Sequence, residues 1–375
     1  MILSANFLSK AFLFFLALLI FPGVASSQEI GRKDSPGSGR NSNIAIFPVE
    51  NLSGTAAPLK EIRQAFVEEL KKQGIHILQE ESLERFMARH RIRYTGGLDG
   101  DTARAFKEEM GTEGVLIVSL ELYSEANPPK ISLLSRFVST GDPPAILWME
   151  GVSMAGDDSP GILGLGLIED PKRLREKALK STVGSLTRYL STGAEEKEIH
   201  GFKRKFMPKV AYRSSALDPN RKYSLAVIPF FNRSERKYAG EILVLHFTSQ
   251  LKRFENFNVI EPGMVRQELL NMRIIMQDGV SLAHADAIFA ALNADLLVSG
   301  RVIDYQDYRG AWGKPKVDFS ATVIERKSRE VVWSSNSYNE GDDGVFFFDW
   351  GRVNTAHAMT SRMVQSVGKM MVTRR

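Results

Sequence analysis

The stretches IAIFPVENLSG at 44–54 and LAVIPFFNRSE at 225–235 share one pattern. Each runs apolar residues into a proline, with an asparagine three residues later and a serine two residues after that. The apolar run predicts a buried strand, and a proline, which has no N–H, suits the strand end. Asn-x-Ser then predicts an Asx turn. Because the pattern occurs twice, 181 residues apart, the sequence predicts two copies of one domain.

The copies continue to match beyond these stretches, in the same order. The helical triplet Ile62, Phe66 and Leu70 returns as Leu243, Phe247 and Leu251. A tryptophan recurs in the last strand of each copy, and Gly-Asp-Asp follows that strand at 156–158 and at 341–343. We interpret the Gly-Asp-Asp triplets as turn residues and not as metal ligands. The repeat signature, with a structural role, comprises Pro48, Asn51, Ser53, Trp148, Pro229, Asn232, Ser234 and Trp333.

Each copy has the predicted element order β-α-β-α-α-β-β-β-α. That order predicts a mixed sheet flanked by helices, an α/β (α+β) fold present twice. The predicted organisation is a signal peptide at 1–25, a flexible leader at 26–42, a first domain at 43–193, a charged linker at 194–221 and a second domain at 222–375.

The N-terminus predicts export. AFLFFLALLIF at 11–21 is an apolar run of signal-peptide length with small residues after it, whereas a spanning helix needs about 20 residues. The alternative is an uncleaved anchor. The chain contains no cysteine, so neither a disulfide nor an N-terminal lipid on cysteine is available. We therefore expect a periplasmic protein that is not a lipoprotein.

The sequence contains no recognisable catalytic motif, and we expect no catalytic residues, cofactor or metal. Its six histidines are scattered singly, and His246 reads as an ordinary, partly buried helix residue. The formal charge of +5 comes without a dense Lys/Arg stripe, so a nucleic-acid partner is not expected. Tyr305 and Tyr308 read as strand-end aromatics that pack on the sheet.

The loops after Gly-Asp-Asp are unusually apolar for surface connections, and they are our candidate interaction loops. Either they fold beneath the sheet, or they contact a partner subunit, the other repeat or a membrane. Their residues are Ile162, Leu163, Leu165, Leu167, Phe346, Phe347, Phe348 and Trp350.

A strand ending in IAIFPVEN or LAVIPFFN, the strand ADLLVSGR at 294–301 and a hairpin with EVVWS at 330–334 occur in this order. The chain thereby resembles the periplasmic α/β domain shared by CsgG, LpoB, PelC and the N-terminal domain of TolB. The resemblance implies a non-enzymatic role in the bacterial envelope, through rings or through docking on partner proteins. The chain differs in lacking the lipidated cysteine, in lacking CsgG's long amphipathic hairpins and in carrying the domain twice.

We therefore expect a non-enzymatic periplasmic scaffold or interaction protein in envelope assembly or export. Its expected partners are envelope proteins, with self-association as a homo-oligomer and peripheral outer-membrane contact as further options. One alternative is a module that binds a solute or a glycan between the two domains. A second is an envelope glycan hydrolase, which would need two carboxyl groups facing one cleft.

Overall fold

A computed structural model of the chain describes residues 43–159, 166–195, 204–274, 280–310, 312–345 and 351–373. All of these belong to one compact unit, Gly37–Arg375. The predicted signal peptide and flexible leader lie outside the described residues, as do seven of the eight residues of the candidate interaction loops.

The first repeat follows the predicted element order, with one very short extra strand after the first. Its elements are β1 (Asn43–Ile46), β2 (Glu50–Asn51), α1 (Leu59–Lys72), β3 (His76–Ile77), α2 (Glu80–Arg89), α3 (Gly100–Met110), β4 (Gly114–Ser124), β5 (Lys130–Ser139), β6 (Ile146–Ala155) and α4 (Pro171–Thr192).

The second repeat has the same order, preceded by a 3-10 turn (Arg204–Phe206) and one extra strand. Its elements are β7 (Val210–Arg213), β8 (Tyr223–Val227), β9 (Phe231–Asn232), α5 (Ala239–Leu251), β10 (Phe257–Val259), α6 (Pro262–Asn271), α7 (Leu282–Leu292), β11 (Leu296–Gln306), β12 (Lys316–Glu325), β13 (Val331–Glu340) and α8 (Ala356–Val372).

The two repeats build two mixed sheets of matching topology. The strand order is β3-β1-β4-β5-β6 in the first sheet and β10-β8-β11-β12-β13-β7 in the second, with β2 paired to β4 and β9 to β11. The early strands pair in parallel, whereas the last three form antiparallel hairpins. The predicted fold class, a mixed sheet flanked by helices and present twice, is confirmed.

Local sequence sets the ends of several helices in both repeats. The Asp99 side chain accepts from the Thr102 N–H and caps α3, which ends at Gly111 in the left-handed conformation. In the second repeat Ser281 caps α7, which ends at Asn293, also left-handed. Small polar residues satisfy the free N–H groups of a first turn, and Gly and Asn tolerate positive φ.

Each sheet has a helix pair on one face and a second pair on part of the other. In the first repeat, α1 and α4 cover one face, and α2 and α3 cover the half of the opposite face that β1 and the start of β4 form. In the second repeat, α5 and α8 cover one face, and α6 and α7 cover the corresponding half of the other. In each sheet, the remaining half of this second face is therefore not covered by any helix of the same repeat. We call this half the docking face.

The stretch 194–221, predicted to be a linker, contributes β7 to the second sheet. Strand β7 pairs antiparallel with β13, with Tyr212 opposite Ser334 and Val210 opposite Asn336. Ala211 packs against the second core, while Val210 and Tyr212 are exposed. This two-residue alternation is that of an edge strand with one solvated side. Among the helices described, none is sufficiently long and apolar to cross a membrane.

Candidate functional site

The two signature loops have the same hydrogen bonds. Oδ1 of Asn51 accepts from the Ser53 N–H at 3.0 Å, and Oδ1 of Asn232 accepts from the Ser234 N–H, also at 3.0 Å. Each asparagine also donates through Nδ2 to a backbone carbonyl four residues later. The geometry is that of an Asx turn, and it leaves the motif without free polar groups for chemistry.

The two signature loops also contact each other. The Arg236 guanidinium in the second loop donates to the Ser53 carbonyl in the first, and to the Glu121 carbonyl at 2.6 Å. The repeated motif therefore lies at the junction between the repeats.

The remaining signature residues lie in the cores and turns. Trp148 and Trp333 are each 1% exposed, and each donates through its indole N–H to a serine hydroxyl. In the Gly-Asp-Asp turns, Asp158 and Asp343 each accept the backbone N–H of the last residue of the preceding strand. Of the candidate interaction loops, the structure describes Leu167, which is half-buried. Contacts of these loops with a partner or a membrane stay a prediction.

The repeats join head to tail, with the docking face of the first repeat against α5 and α8 of the second. Leu134 on β5 and Met149 on β6 are almost fully buried in the same apolar cluster as Leu245 of α5. Twelve of the thirteen residues of α5 are buried, since one side of this helix packs on its own sheet and the other on the first sheet. The repeats therefore share one continuous core.

A fully buried ion pair crosses this junction. Arg136 on β5 contacts Glu261, the residue before α6, with Nη2 at 3.0 Å and Nε at 3.1 Å from the carboxylate oxygens. The same carboxylate accepts the Leu98 and Gly263 backbone N–H groups. Removing either partner would leave an unpaired charge in the interior.

A second buried polar cluster lies nearby, around Glu121 on β4. Oε2 of Glu121 is 2.5 Å from Nδ1 of His357 on α8 and 3.1 Å from Nε2 of His246 on α5. The Tyr305 hydroxyl donates to Oε1, and the Ser361 hydroxyl contacts Nδ1 of His246 at 3.1 Å. Burial alone would raise the pKa of Glu121, but the two histidines hold it well below its ordinary value. Burial also lowers the pKa of His246.

A β-bulge directs Glu121 into this cluster. The register of β4 and β5 shifts between Leu120 and Leu122, and that of β11 and β12 shifts at the equivalent point, between Val302 and Asp304. Ile303 is thus the counterpart of Glu121, yet it is 45% exposed. Bulges re-aim side chains, and here the same bulge directs a carboxylate into the junction and an isoleucine into solvent.

No described residue covers the docking face of the second sheet. Its outward side chains include the strongly exposed Val210 and Tyr212 on β7, with Ile303 on the far strand. Between them are half-buried or exposed polar residues: Asp318, Ser320, Thr322, Ser334, Asn336 and Tyr338. Ser320 and Ser334 occupy the positions that Leu134 and Met149 have in the first repeat.

A cavity of about 270 Å³ lies between the repeats, lined by apolar residues of both. Glu50 of the first repeat and Glu241 and Arg266 of the second contribute its charges. Burial raises the pKa of Glu50, whose carboxylate accepts from the Ser119 hydroxyl at 2.6 Å.

His246 was expected to be an ordinary, partly buried helix residue, but it is fully buried and bonded across the junction. One sequence signal was available, because the apolar residues of α5 are not confined to one stripe, unlike those of the amphipathic α1 at the equivalent position. A helix of that composition is buried on all sides, so a polar residue on it needs a buried partner. The identity of that partner, 125 residues away, had no signal in the sequence.

No family model matches the chain, and no curated protein matches it. Solved structures do match. A PelC dodecamer from Paraburkholderia phytofirmans is 17% identical, covering 44% of this chain and 97% of its own, with a TM-score of 0.30. Lipoprotein GNA1162 from Neisseria meningitidis is 16% identical, covering 39% of this chain and 99% of its own, with a TM-score of 0.28. The LpoB C-terminal domain from Salmonella enterica is 13% identical, covering 32% of this chain and 83% of its own, with a TM-score of 0.25.

The predicted resemblance to PelC and LpoB therefore agrees with these matches. At these identities and TM-scores the likeness carries no argument about role, partner or assembly. The resemblance to CsgG and to TolB stays a prediction.

Proposed function

We propose that this protein is a non-enzymatic periplasmic scaffold of the bacterial envelope, and that it binds a partner protein on the docking face of its second repeat. The observation that carries the proposal is internal to the molecule. The equivalent face of the first repeat holds two packed helices, α5 and α8. A face that binds helices in one copy is open in the other.

The partner that suits this face presents a pair of packed helices with a mixed apolar and polar surface. Val210 and Tyr212 are 64% and 55% exposed at one edge, and Ile303 provides an apolar contact at the other. Polar side chains fill the space between them. A mixed surface of this kind is typical of interfaces whose partners are also stable apart.

A second copy of this chain suits the docking face of the second repeat less well than a distinct partner does. Its equivalent helices are α1 and α4 of the first repeat, whose outward side carries Gln64 and Lys172 where α5 and α8 carry Leu245 and His357. Gln64 and Lys172 are exposed. The surface that would have to repeat the junction therefore lacks its apolar contacts, so we expect the purified chain to be monomeric.

The periplasmic location is supported by the apolar run 11–21. N-terminal sequencing of the protein recovered from a periplasmic fraction tests it. A mature N-terminus near residue 26 is expected, whereas a protein retained in the cytoplasm with Met1 intact would contradict the location.

The scaffold proposal is tested by affinity capture from an envelope fraction with three proteins. These are the wild type, the double variant Val210→Asp/Tyr212→Asp, and the control Gln64→Asp, which changes an exposed residue on the other side of the molecule. We expect the wild type and the control to retain the same protein and the double variant to lose it.

Capture that is unchanged by the double variant would contradict the proposed surface. Light scattering of the wild type supplies a second outcome. A multimer that the double variant converts to a monomer would mean that a second copy occupies the face, and it would overturn the proposal of a distinct partner.

A small-solute binding function is the second candidate, and the cavity between the repeats favours it. Ligand sites are commonly concave, largely apolar and provided with a few polar groups. Mass spectrometry of the natively purified protein tests this candidate. A bound small molecule that is lost in Val265→Trp, which fills the cavity, would support it, whereas the bare chain mass would contradict it.

The same cavity also brings together two carboxyl groups, Glu50 and Glu241, which the glycan hydrolase alternative requires. Against that role, the carboxylate of Glu50 is already bonded to Ser119. Incubation of the wild type and of Glu50→Gln with purified cell-wall glycan, followed by measurement of soluble fragments, separates a hydrolase from a non-enzymatic binding protein. We expect no soluble fragments from either protein, and release by the wild type alone would establish an enzyme.

A further inference from the structure

The cluster around Glu121 contains three side chains of metal-ligating type. Oε2 of Glu121, Nε2 of His246 and Nδ1 of His357 all lie within 4.8 Å of one another. They come from β4 of the first repeat and from α5 and α8 of the second. Their side chains are 0%, 0% and 3% exposed. The cluster is therefore part of the interior and not a chance grouping of surface residues.

Charge balance favours a cation at this place. A carboxylate with no solvent contact is costly unless it is paired or coordinates a metal. Both histidine nitrogens face the same carboxylate oxygen. A divalent cation bound by these two nitrogens and this oxygen would supply the positive charge that the buried carboxylate needs. One protonated histidine is the competing way to balance the charge.

The other atoms of these side chains are held in place from outside the cluster. Ser361 contacts Nδ1 of His246, so Nε2 is the nitrogen that faces Glu121, and Tyr305 bonds Oε1 of Glu121. The ring of His357 lies against Gly151, where a Cβ atom would be 2.9 Å from Nε2. Such outer contacts orient the ligands in metal sites.

The cluster is specific to the junction between the repeats. The counterparts of Glu121, His246 and His357 in the other repeat are Ile303, Ala65 and Lys172. Ile303 and Ala65 have no ligating atom, and Lys172 is exposed. The three ligand types are therefore no consequence of the shared fold, and they occur where one repeat must be fixed to the other.

We propose that Glu121, His246 and His357 bind one Zn²⁺ ion that links the two repeats. Two imidazole nitrogens and one carboxylate oxygen are ligands that zinc takes, at about 2.0–2.2 Å each. A ligating nitrogen carries no proton, so the proton of each neutral imidazole would lie on its other nitrogen: Nδ1 of His246, which contacts the Ser361 hydroxyl, and Nε2 of His357. The site requires both repeats and exists after they have packed together.

The test uses the full mature chain, purified without a histidine tag and dialysed against metal-free buffer. We expect elemental analysis to find about one zinc per chain in the wild type and trace amounts in His357→Gln. The matched control, His284→Gln on the exposed side of α7, retains the zinc. We also expect EDTA to lower the Tm of the wild type and of the control by several degrees, and added zinc to restore it.

A second measurement does not depend on the variants folding. Replacement of the metal by Co²⁺ in the wild-type chain is expected to produce visible absorption bands typical of Co²⁺ bound to nitrogen and oxygen ligands.

Several outcomes overturn the proposal. A wild type that contains less than about a tenth of an equivalent of zinc, with a Tm unaffected by EDTA and by zinc, would mean that a protonated histidine balances Glu121. Zinc retained in His357→Gln at the wild-type level would place the metal elsewhere, and zinc lost equally from His284→Gln would mean that the loss is not specific to the cluster. The proposal is independent of the partner-binding face, because none of these readouts involves a partner.

Discussion

The docking faces of the two repeats share three equivalent strands with the same register and the same bulge, but their side chains differ, and the second face also includes β7. In the first repeat the face carries Leu134, Met149 and Arg136, all buried beneath the second repeat. In the second repeat the equivalent positions carry Ser320, Ser334 and Thr322, all half-buried. A small number of outward residues therefore distinguishes the covered repeat from the open one, while the residues that build the fold are similar in both.

The largest difference is expected for the buried ion pair. Arg136→Met leaves the Glu261 carboxylate without its partner, so we expect the free energy of unfolding to fall by about 3–5 kcal/mol. The control Thr322→Met, at the equivalent position of the open face, is expected to change it by less than about 0.5 kcal/mol. Urea unfolding of both variants measures the difference.

The double variant Arg136→Met/Glu261→Gln sharpens this comparison. The glutamine retains an oxygen that accepts the backbone N–H groups of Leu98 and Gly263, but it removes the stranded charge. We expect it to recover much of the lost stability. A double variant as unstable as the single one would show that packing, and not charge, determines the effect.

Truncation of α5 on the side that faces the first repeat is expected to have the next largest effect. Leu245→Ala removes a side chain that is 4% exposed. It should lower the unfolding free energy by about 2–3 kcal/mol, towards the low end for a buried leucine, because an interface can close part of the cavity. Gln64→Ala, the counterpart on α1, should have almost no effect. Equal losses in thermal unfolding would contradict the described junction.

Two lysines at equivalent positions of the docking faces predict a difference in how stability depends on pH. Lys130 is 1% exposed, and burial lowers its pKa to about 8, whereas contact with Asp304 raises the pKa of its counterpart Lys316. Between pH 8 and about 10.4 the unfolded chain binds the Lys130 proton more tightly than the folded chain. This lysine's contribution to stability therefore rises with pH, by at most about 1.4 kcal/mol per unit.

Unfolding free energies measured from pH 7.5 to 10 test this prediction. We expect Lys130→Met to show a smaller rise with pH than the wild type, and Lys316→Met to keep the wild-type slope. The same slope in all three proteins would mean that Lys130 is not isolated from water in solution.

The smallest effect is expected at the exposed bulge residue of the second repeat. Ile303→Ser should change the unfolding free energy by less than about 0.5 kcal/mol, because the side chain already has solvent contact. Chemical denaturation measures it. A loss above 1 kcal/mol would mean that the second docking face is covered in the protein as it exists in solution, by a copy of the chain or by a further segment.

Much of the fold was predictable because the repeat makes each signal appear twice. The apolar run before Pro48 predicted β1, and its recurrence before Pro229 predicted β8, so the element order was confirmed in both repeats. Strand β7 was missed, because the charged stretch 194–221 contains only the four-residue alternation VAYR, which gains strand structure by pairing with β13.

The candidate sites were less predictable. Composition did separate the repeats, since α5 is more apolar than α1 and its apolar residues are not confined to one stripe. The bulge at Glu121, however, depends on register between strands, which the alternation of side chains does not specify at one inserted residue. The alternation of side chains along β4 therefore does not indicate that Glu121 faces the second repeat.

The sequence by itself determined that this chain is one domain written twice, because apolar periodicity and turn chemistry are local and survive duplication. The tertiary structure alone decided that the repeats join head to tail and that one docking face is covered and the other open. It also decided that Glu121 meets His246 and His357, which lie 125 and 236 residues away. Contacts over such separations arise when two preformed surfaces pack, and no local propensity encodes them.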